Sequence, residues 1–165
     1  MEKIKKLKKL LNEFYLDGYI IPKNDEFFGE YTPFNKDRLK YISNFSGSYG
    51  FALILKNKNY LFVDGRYTHQ ARIQCKKLFN TVTIPNKFPA DILKKKNIKI
   101  GYDPKLFTQQ TIRTLFKKTN CKLISIDQNL IDRLWIKKKI TKIKKFYVLS
   151  KKAVGQNYKS KIQRS

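Results

Sequence analysis

The chain has 165 residues, with 37 Lys and Arg against 12 Asp and Glu, a net charge of +25, and 41% hydrophobic residues. A length of this order is one domain's worth and buries about 70% of the surface that its unfolded form exposes, so a core forms without staples. Two cysteines give no disulfide scaffold, one histidine gives no His-rich metal cluster, and no apolar run approaches the ~18 residues that span a membrane.

Ile4, Leu7, Leu10, Leu11 and Phe14 form a helical stripe with lysines opposite, and Asp17 with Gly18 supplies its stop. Lysines interleave with the apolar residues of Met1 to Leu11, leaving no continuous apolar region for a signal peptide, so the expected location is the cytoplasm. Tyr19 to Ile21 reads as a strand ended by Pro22. Lys23 to Asn35 is a long irregular connection holding Phe27, Phe28, Tyr31 and Phe34 beside Asp25, Glu26 and Glu30. It reads either as a recognition surface or as a loop pinned to the core by its aromatics.

Asp37 is placed to cap a short helix carrying Leu39, Ile42 and Phe45. Gly47, Ser48, Tyr49 and Gly50 then make a tight turn; a Gly-rich turn can hold a phosphate, but this spacing matches neither the P-loop nor the dinucleotide fingerprint. Phe51 to Leu55 and Tyr60 to Val63 are apolar runs across a short polar turn, which predicts a β-hairpin buried on both faces. Asp64 and Arg66 flank Gly65 at a strand-to-helix corner, where mutual pairing and capping account for them, a carboxylate ligand being the other option. The helix opened by Arg66 puts Tyr67, Ala71, Cys75 and Leu78 on one face, with His69 on the far side.

Strands follow at Phe79 to Ile84, Ile98 to Tyr102 and Cys121 to Ile126, with helices at Ala90 to Lys96 and after Thr108, the latter carrying Ile112, Leu115 and Phe116. Cys75 and Cys121 therefore both fall in elements expected to be buried, as free thiols. Strand and helix alternate after residue 59, which predicts an α/β fold: a mixed β-sheet flanked by helices with at least one parallel pairing. Leu130, Ile131, Leu134 and Trp135 form a last helical patch, and Phe146 to Leu149 is one further apolar patch in the tail.

Five phrases in fixed order resemble one family: Asp17 to Pro22 (DGYIIP), Ile42 to Gly50 (ISNFSGSYG), Phe62 to Ala71 (FVDGRYTHQA), Ile100 to Pro104 (IGYDP) and Asn129 to Trp135 (NLIDRLW). They are similar to the N-terminal domain of the creatinase, prolidase and aminopeptidase P superfamily, the last two phrases to its three-domain aminopeptidase P branch. The resemblance implies a fold of the creatinase/prolidase N-terminal type, with a ribonuclease H-like motif, over residues 1–140. Residues 141–165 then read as a linker and the start of a second domain, in a chain truncated or split before its catalytic part. The chain departs from the family at Tyr49, usually Ala, at His69, usually apolar, and at Ile136 to Ile140, where an Arg-Pro pair is usual.

The resemblance implies a non-catalytic lobe of an Xaa-Pro aminopeptidase that shapes the substrate cleft and supports oligomer contacts. In the family the chemistry belongs to a later pita-bread domain, where two Asp, one His and two Glu hold a pair of Mn or Zn ions. No cofactor is therefore expected in this chain, and its expected partners are a separately encoded catalytic domain and further copies of itself. The expected cleft or interdomain contacts are Phe45, Ser46, Gly47, Ser48, Tyr49, Asp64, Arg66 and His69. The alternative is a basic module for nucleic acid or anionic surfaces; however, the excess charge is nearly all Lys and scattered, alongside heavy use of Ile, Asn, Phe and Tyr, which is what a biased genome composition imposes.

Overall fold

The structure is a computed structural model that describes residues 1–94, 97–136 and 147–163. The six strands are β1 (Gly18–Pro22), β2 (Phe51–Leu55), β3 (Asn59–Asp64), β4 (Asn80–Ile84), β5 (Lys99–Tyr102) and β6 (Lys122–Ser125). They form one mixed sheet in the order β4-β3-β2-β1-β5-β6. The β1/β2 and β2/β3 pairs are antiparallel, and β3/β4, β1/β5 and β5/β6 are parallel, so β2 alone runs against the other strands.

Helices cover both faces, and the alternation of side chains along each strand decides which residues meet which helix. Tyr19, Ile21, Ala52, Ile54, Leu61 and Val63 join a core with Ile4, Leu7 and Leu11 of α1 (Glu2–Glu13), Leu39 and Ile42 of α2 (Arg38–Ser43), Ala71 and Cys75 of α3 (Thr68–Cys75) and, beyond β5, Leu130 and Ile131. The intervening residues Ile20, Leu53, Leu55 and Phe62 pack on the other face with Leu93 of α4 (Pro89–Leu93) and Ile112 of α5 (Gln109–Leu115). Leu130 and Ile131 belong to α6 (Leu130–Leu134), which Asn129 caps by accepting the Ile131 N–H at 2.9 Å. The expected mixed β-sheet flanked by helices is therefore present, with the apolar stripe of α1 on the sheet's own core.

Four local expectations need correction. The α1 stop lies at Tyr15, ahead of Asp17 and Gly18: Tyr15 has a φ of 53°, and the N–H groups of Tyr15 and Leu16 reach the carbonyls of Asn12 and Leu11 at 3.1 and 2.8 Å. This is the left-handed helix ending usually given to glycine, stapled by the buried Leu11 and Leu16. Asp17 instead stitches β1 to β5, its N–H donating to the Lys99 carbonyl and its carboxylate accepting the Lys99 N–H, each at 2.9 Å. Arg66 does not open an α-helix directly: Gly65–Tyr67 is a single 3-10 turn, and α3 begins at Thr68. The helix expected to run from Ala90 to Lys96 is Pro89–Leu93, residues 95 and 96 lying outside the described residues. Cys75 is buried, but Cys121 is only half-buried, because it precedes the edge strand β6.

The tail expectation falls partly outside the described residues, which resume at 147 and so omit Phe146 and the expected boundary at 140–141. Tyr147, Val148 and Leu149 are exposed, ahead of the short α7 (Lys151–Val154) and α8 (Tyr158–Ile162). Among the described residues no helix is long and apolar enough to cross a membrane.

Candidate cleft-facing rim

The strand polarity gathers three connections at one end of the sheet. Pro22 at the end of β1 pairs with Phe51 at the start of β2, Phe51 pairs with Phe62 near the end of β3, and Asp64 pairs with Ile84. The loops 23–37 and 44–50 and the corner 64–67 all leave from this rim, the carboxyl end of the parallel strands, where open α/β sheets place ligands. The Lys23 N–H donates to the Gly50 carbonyl at 3.0 Å and ties two of these loops together.

The Gly-bounded loop is built on packing. Phe45 is fully buried beneath Gly47, where a Cβ would run into the Phe45 ring. At Gly50 the φ of +153° and a Cβ only 2.7 Å from the Phe62 carbonyl oxygen exclude any side chain. Ser46 is held by α3: its N–H donates to Gln74 Oε1 at 2.9 Å, and its hydroxyl accepts from the Gln70 and Gln74 amides at 2.9 and 2.8 Å. The Ser48 and Tyr67 hydroxyls lie 2.7 Å apart, and the Tyr67 ring meets Phe45 edge-on at 6.0 Å. Tyr49 is exposed on the loop's outer side.

Asp64 accepts the Arg66 N–H at 2.9 Å and pairs with the Arg66 guanidinium at 2.7 Å. The same guanidinium lies 5.4 Å from the Tyr67 ring centroid. The side-chain hydrogen bond from Arg66 holds the Asp64 carboxyl below the usual range. Pairing and capping thus account for both residues. His69 is exposed on α3 and is not drawn into this group. Of the eight expected contact residues, the structure brings Ser46, Ser48, Asp64 and Arg66 into bonded clusters on the rim, and Phe45 serves beneath them. Gln70, Gln74 and Tyr67 complete the clusters and were not foreseen as partners; the four-residue spacing of the two glutamines, which places them on one helix face, was the available signal.

The aromatic loop is not pinned to the core. Phe27, Tyr31 and Phe34 are 80%, 82% and 77% exposed. Beneath them lies an ion network that fixes the loop without burying the rings. Arg38, only 3% exposed, makes a two-pronged contact with Asp132 of α6 at 3.0 and 2.7 Å and reaches Glu26 at 3.3 Å. Lys36 meets Glu26 at 2.7 Å, and Lys23 meets Asp37 at 2.6 Å while Asp37 caps α2 through the Lys40 N–H. Burial raises the Glu26 pKa, but Lys36, its own backbone N–H and Arg38 outweigh that and hold it at about 2. Beside the network, Tyr41 and Trp135 stack at 4.7 Å, Phe34 meets Trp135 edge-on at 6.4 Å, and Lys3 sits 4.3 Å from the Tyr41 centroid.

Among the described residues no group of three or more His, Cys, Asp or Glu is placed to hold a metal ion. The rim presents hydroxyls, side-chain amides and exposed rings.

The mixed sheet and its motif set define a class of α/β domain, and comparison with known proteins identifies it. The model of the creatinase/prolidase N-terminal domain matches residues 3–134. The chain belongs to the creatinase/prolidase N-terminal domain family. It is 32% identical over 144 residues to a probable Xaa-Pro aminopeptidase P of Neosartorya fischeri, covering 81% of this chain and 22% of that protein. It is also 32% identical over 174 residues to one of Aspergillus flavus, covering 98% and 26%. The chain thus spans about a quarter of the length of these curated relatives.

Among solved structures, the X-prolyl aminopeptidase of Caenorhabditis elegans, described as a cytosolic enzyme with a di-nuclear active site, superposes with a TM-score of 0.77 at 25% identity over 99% of this chain and 30% of that one. The N-terminal domain of the cytoplasmic peptidase PepQ of Mycobacterium tuberculosis shares the fold, with a TM-score of 0.62 at 21% identity over 81% of this chain and 98% of that one.

Proposed function

We propose that this chain works as the accessory lobe of an Xaa-Pro aminopeptidase, shaping the substrate cleft and supporting contacts between copies. In this reading a pita-bread catalytic domain, supplied in cis or by a separate polypeptide, holds the divalent metal pair, and residues 141–165 lead toward the next domain. Such a metal pair would supply Lewis-acid activation of water for hydrolysis of the bond before proline on that domain. The present chain supplies walls and no reacting group.

One observation carries this reading. Residues 23–40 hold four cations and four carboxylates, so the excess of +25 lies wholly outside the stretch that also exposes Phe27, Tyr31 and Phe34. A charge-balanced aromatic surface loses little on being dried, which suits contact with another domain or a peptide. A nucleic-acid binder instead brings an excess of cations to its stacking rings. Here Lys36 and Lys40, 5.5 and 5.9 Å from the Phe27 and Phe34 ring centroids, belong to a stretch with as many carboxylates as cations, and Lys36 is paired with Glu26.

The test is to mix the purified chain with the catalytic half of a related aminopeptidase and follow cleavage of an Xaa-Pro peptide with manganese present. The chain alone is expected to be silent and the mixture more active than the catalytic half. Changing Phe27 and Tyr31 together to serine is expected to remove the gain. Turnover by the chain alone, or no effect on the catalytic half, refutes the proposal.

A further inference from the structure

The two edges of the sheet are not alike. Natural edge strands are blunted by charge, proline, bulges or shortness, because an open edge recruits another strand. The β6 edge has four residues and opens with Lys122. The β4 edge has five, Asn-Thr-Val-Thr-Ile, with no charge, no proline and no bulge in a continuous register against β3 from Tyr60↔Asn80 to Asp64↔Ile84.

Thr81, Val82, Thr83 and Ile84 are each half-buried, so the strand is supported from both faces, and among the described residues no strand pairs with its outer side. Val82 and Ile84 pack on the α4/α5 side, and the Thr83 hydroxyl meets that of Thr68 at 3.0 Å on the α3 side.

The surroundings of this edge have a single sign. Between Asp64 and Asp91 the sequence holds five cations and no carboxylate. Arg66 is taken by Asp64, leaving Arg72, Lys76, Lys77 and Lys87, all exposed. Lys76 and Lys77 precede β4, and the Lys87 N–H reaches the Thr83 carbonyl at 3.3 Å, which puts Lys87 at the strand's far end. A strand of this length covers about 17 Å, so an incoming strand meets cations at both of its ends.

We propose that β4 is a docking edge for an extended acidic peptide, which adds a seventh strand to the sheet. Main-chain hydrogen bonds to the open edge provide the pairing, β-branched residues of the peptide lie beside Thr81 and Thr83, and acidic residues flanking them meet Lys76, Lys77 and Lys87. A second copy of this chain is the wrong occupant, because it would bring the same cations against themselves.

The experiment uses the whole 15N-labelled chain and two synthetic peptides, Glu-Glu-Val-Thr-Val-Thr-Val-Glu-Glu and the same peptide with both threonines replaced by proline. The first is expected to slow amide exchange at residues 80–84 and to bind at least about tenfold more tightly than the proline form, which lacks two donors. The double variant K76E/K77E, whose far-ultraviolet circular dichroism serves as the folding check, is expected to weaken binding about fivefold or more. Equal binding of the two peptides means charge alone and overturns the proposal. Protection at residues 122–125 instead of 80–84, a peptide-free dimer protected at β4, or no binding also overturns it.

Discussion

Residues 23–40 and the remainder of the chain solve the problem of carrying charge in opposite ways. In the first, Lys23, Lys36 and Arg38 are matched to Asp37, Glu26 and Asp132 within 2.6–3.3 Å, and the rings are left to the solvent. In the second, apolar residues fill the core while lysines such as Lys5, Lys9, Lys117 and Lys118 lie exposed. The difference teaches that net charge alone is a poor guide to where a protein binds. A uniformly basic coat attracts any polyanion weakly, whereas a locally neutral patch held rigid from below marks a place that another surface can dry.

The largest effect is expected from Arg38→Ala, which strands Asp132 and Glu26 and should cost about 3–5 kcal/mol in urea denaturation. A loss below about 1 kcal/mol would mean that the network decorates the loop and does not hold it. Acid should act through the same network. The Glu26 pKa is lowered from 4.5 to about 2 by the fold, so its contribution is fully present above pH 4.5 and disappears as the pH falls toward 2. After solvent screening this amounts to about 1–2 kcal/mol, and Glu26→Gln should remove that part of the acid dependence.

Smaller effects should mark the outer surfaces. Changing Phe27 and Tyr31 to serine should shift stability by less than about 0.5 kcal/mol, because neither ring is in the core. A larger loss would restore the pinned-loop alternative. Lys5→Glu and Lys9→Glu on α1 should each change stability by about 0.5 kcal/mol or less, while measurably lowering retention on heparin at low salt.

Much of the fold was legible because its signals are local. The stripe from Ile4 to Leu11, the two apolar runs of the hairpin, and Asp37 and Thr108 at helix starts all depend on residues within a few positions of one another. The same holds for Asp64 and Arg66, two apart. What was missed depends on distance along the chain. Arg38 and Asp132 are separated by 94 residues, and Ser46 and Gln74 by 28, so only the packing of α6 and α3 brings them together. The left-handed Tyr15 escaped for another reason: glycine is the usual mark of such an ending, and here Leu11 and Leu16 supply the hydrophobic staple without it.

The reversed course of β2 has a practical use at the opposite pole of the sheet. The Lys56–Lys58 turn between β2 and β3 projects there, with Asn57 exposed and the whole sheet between it and the rim. A reporter dye or affinity handle attached at Asn57 would therefore sit far from the proposed contact loops and would test for assembly without touching the surfaces proposed to assemble.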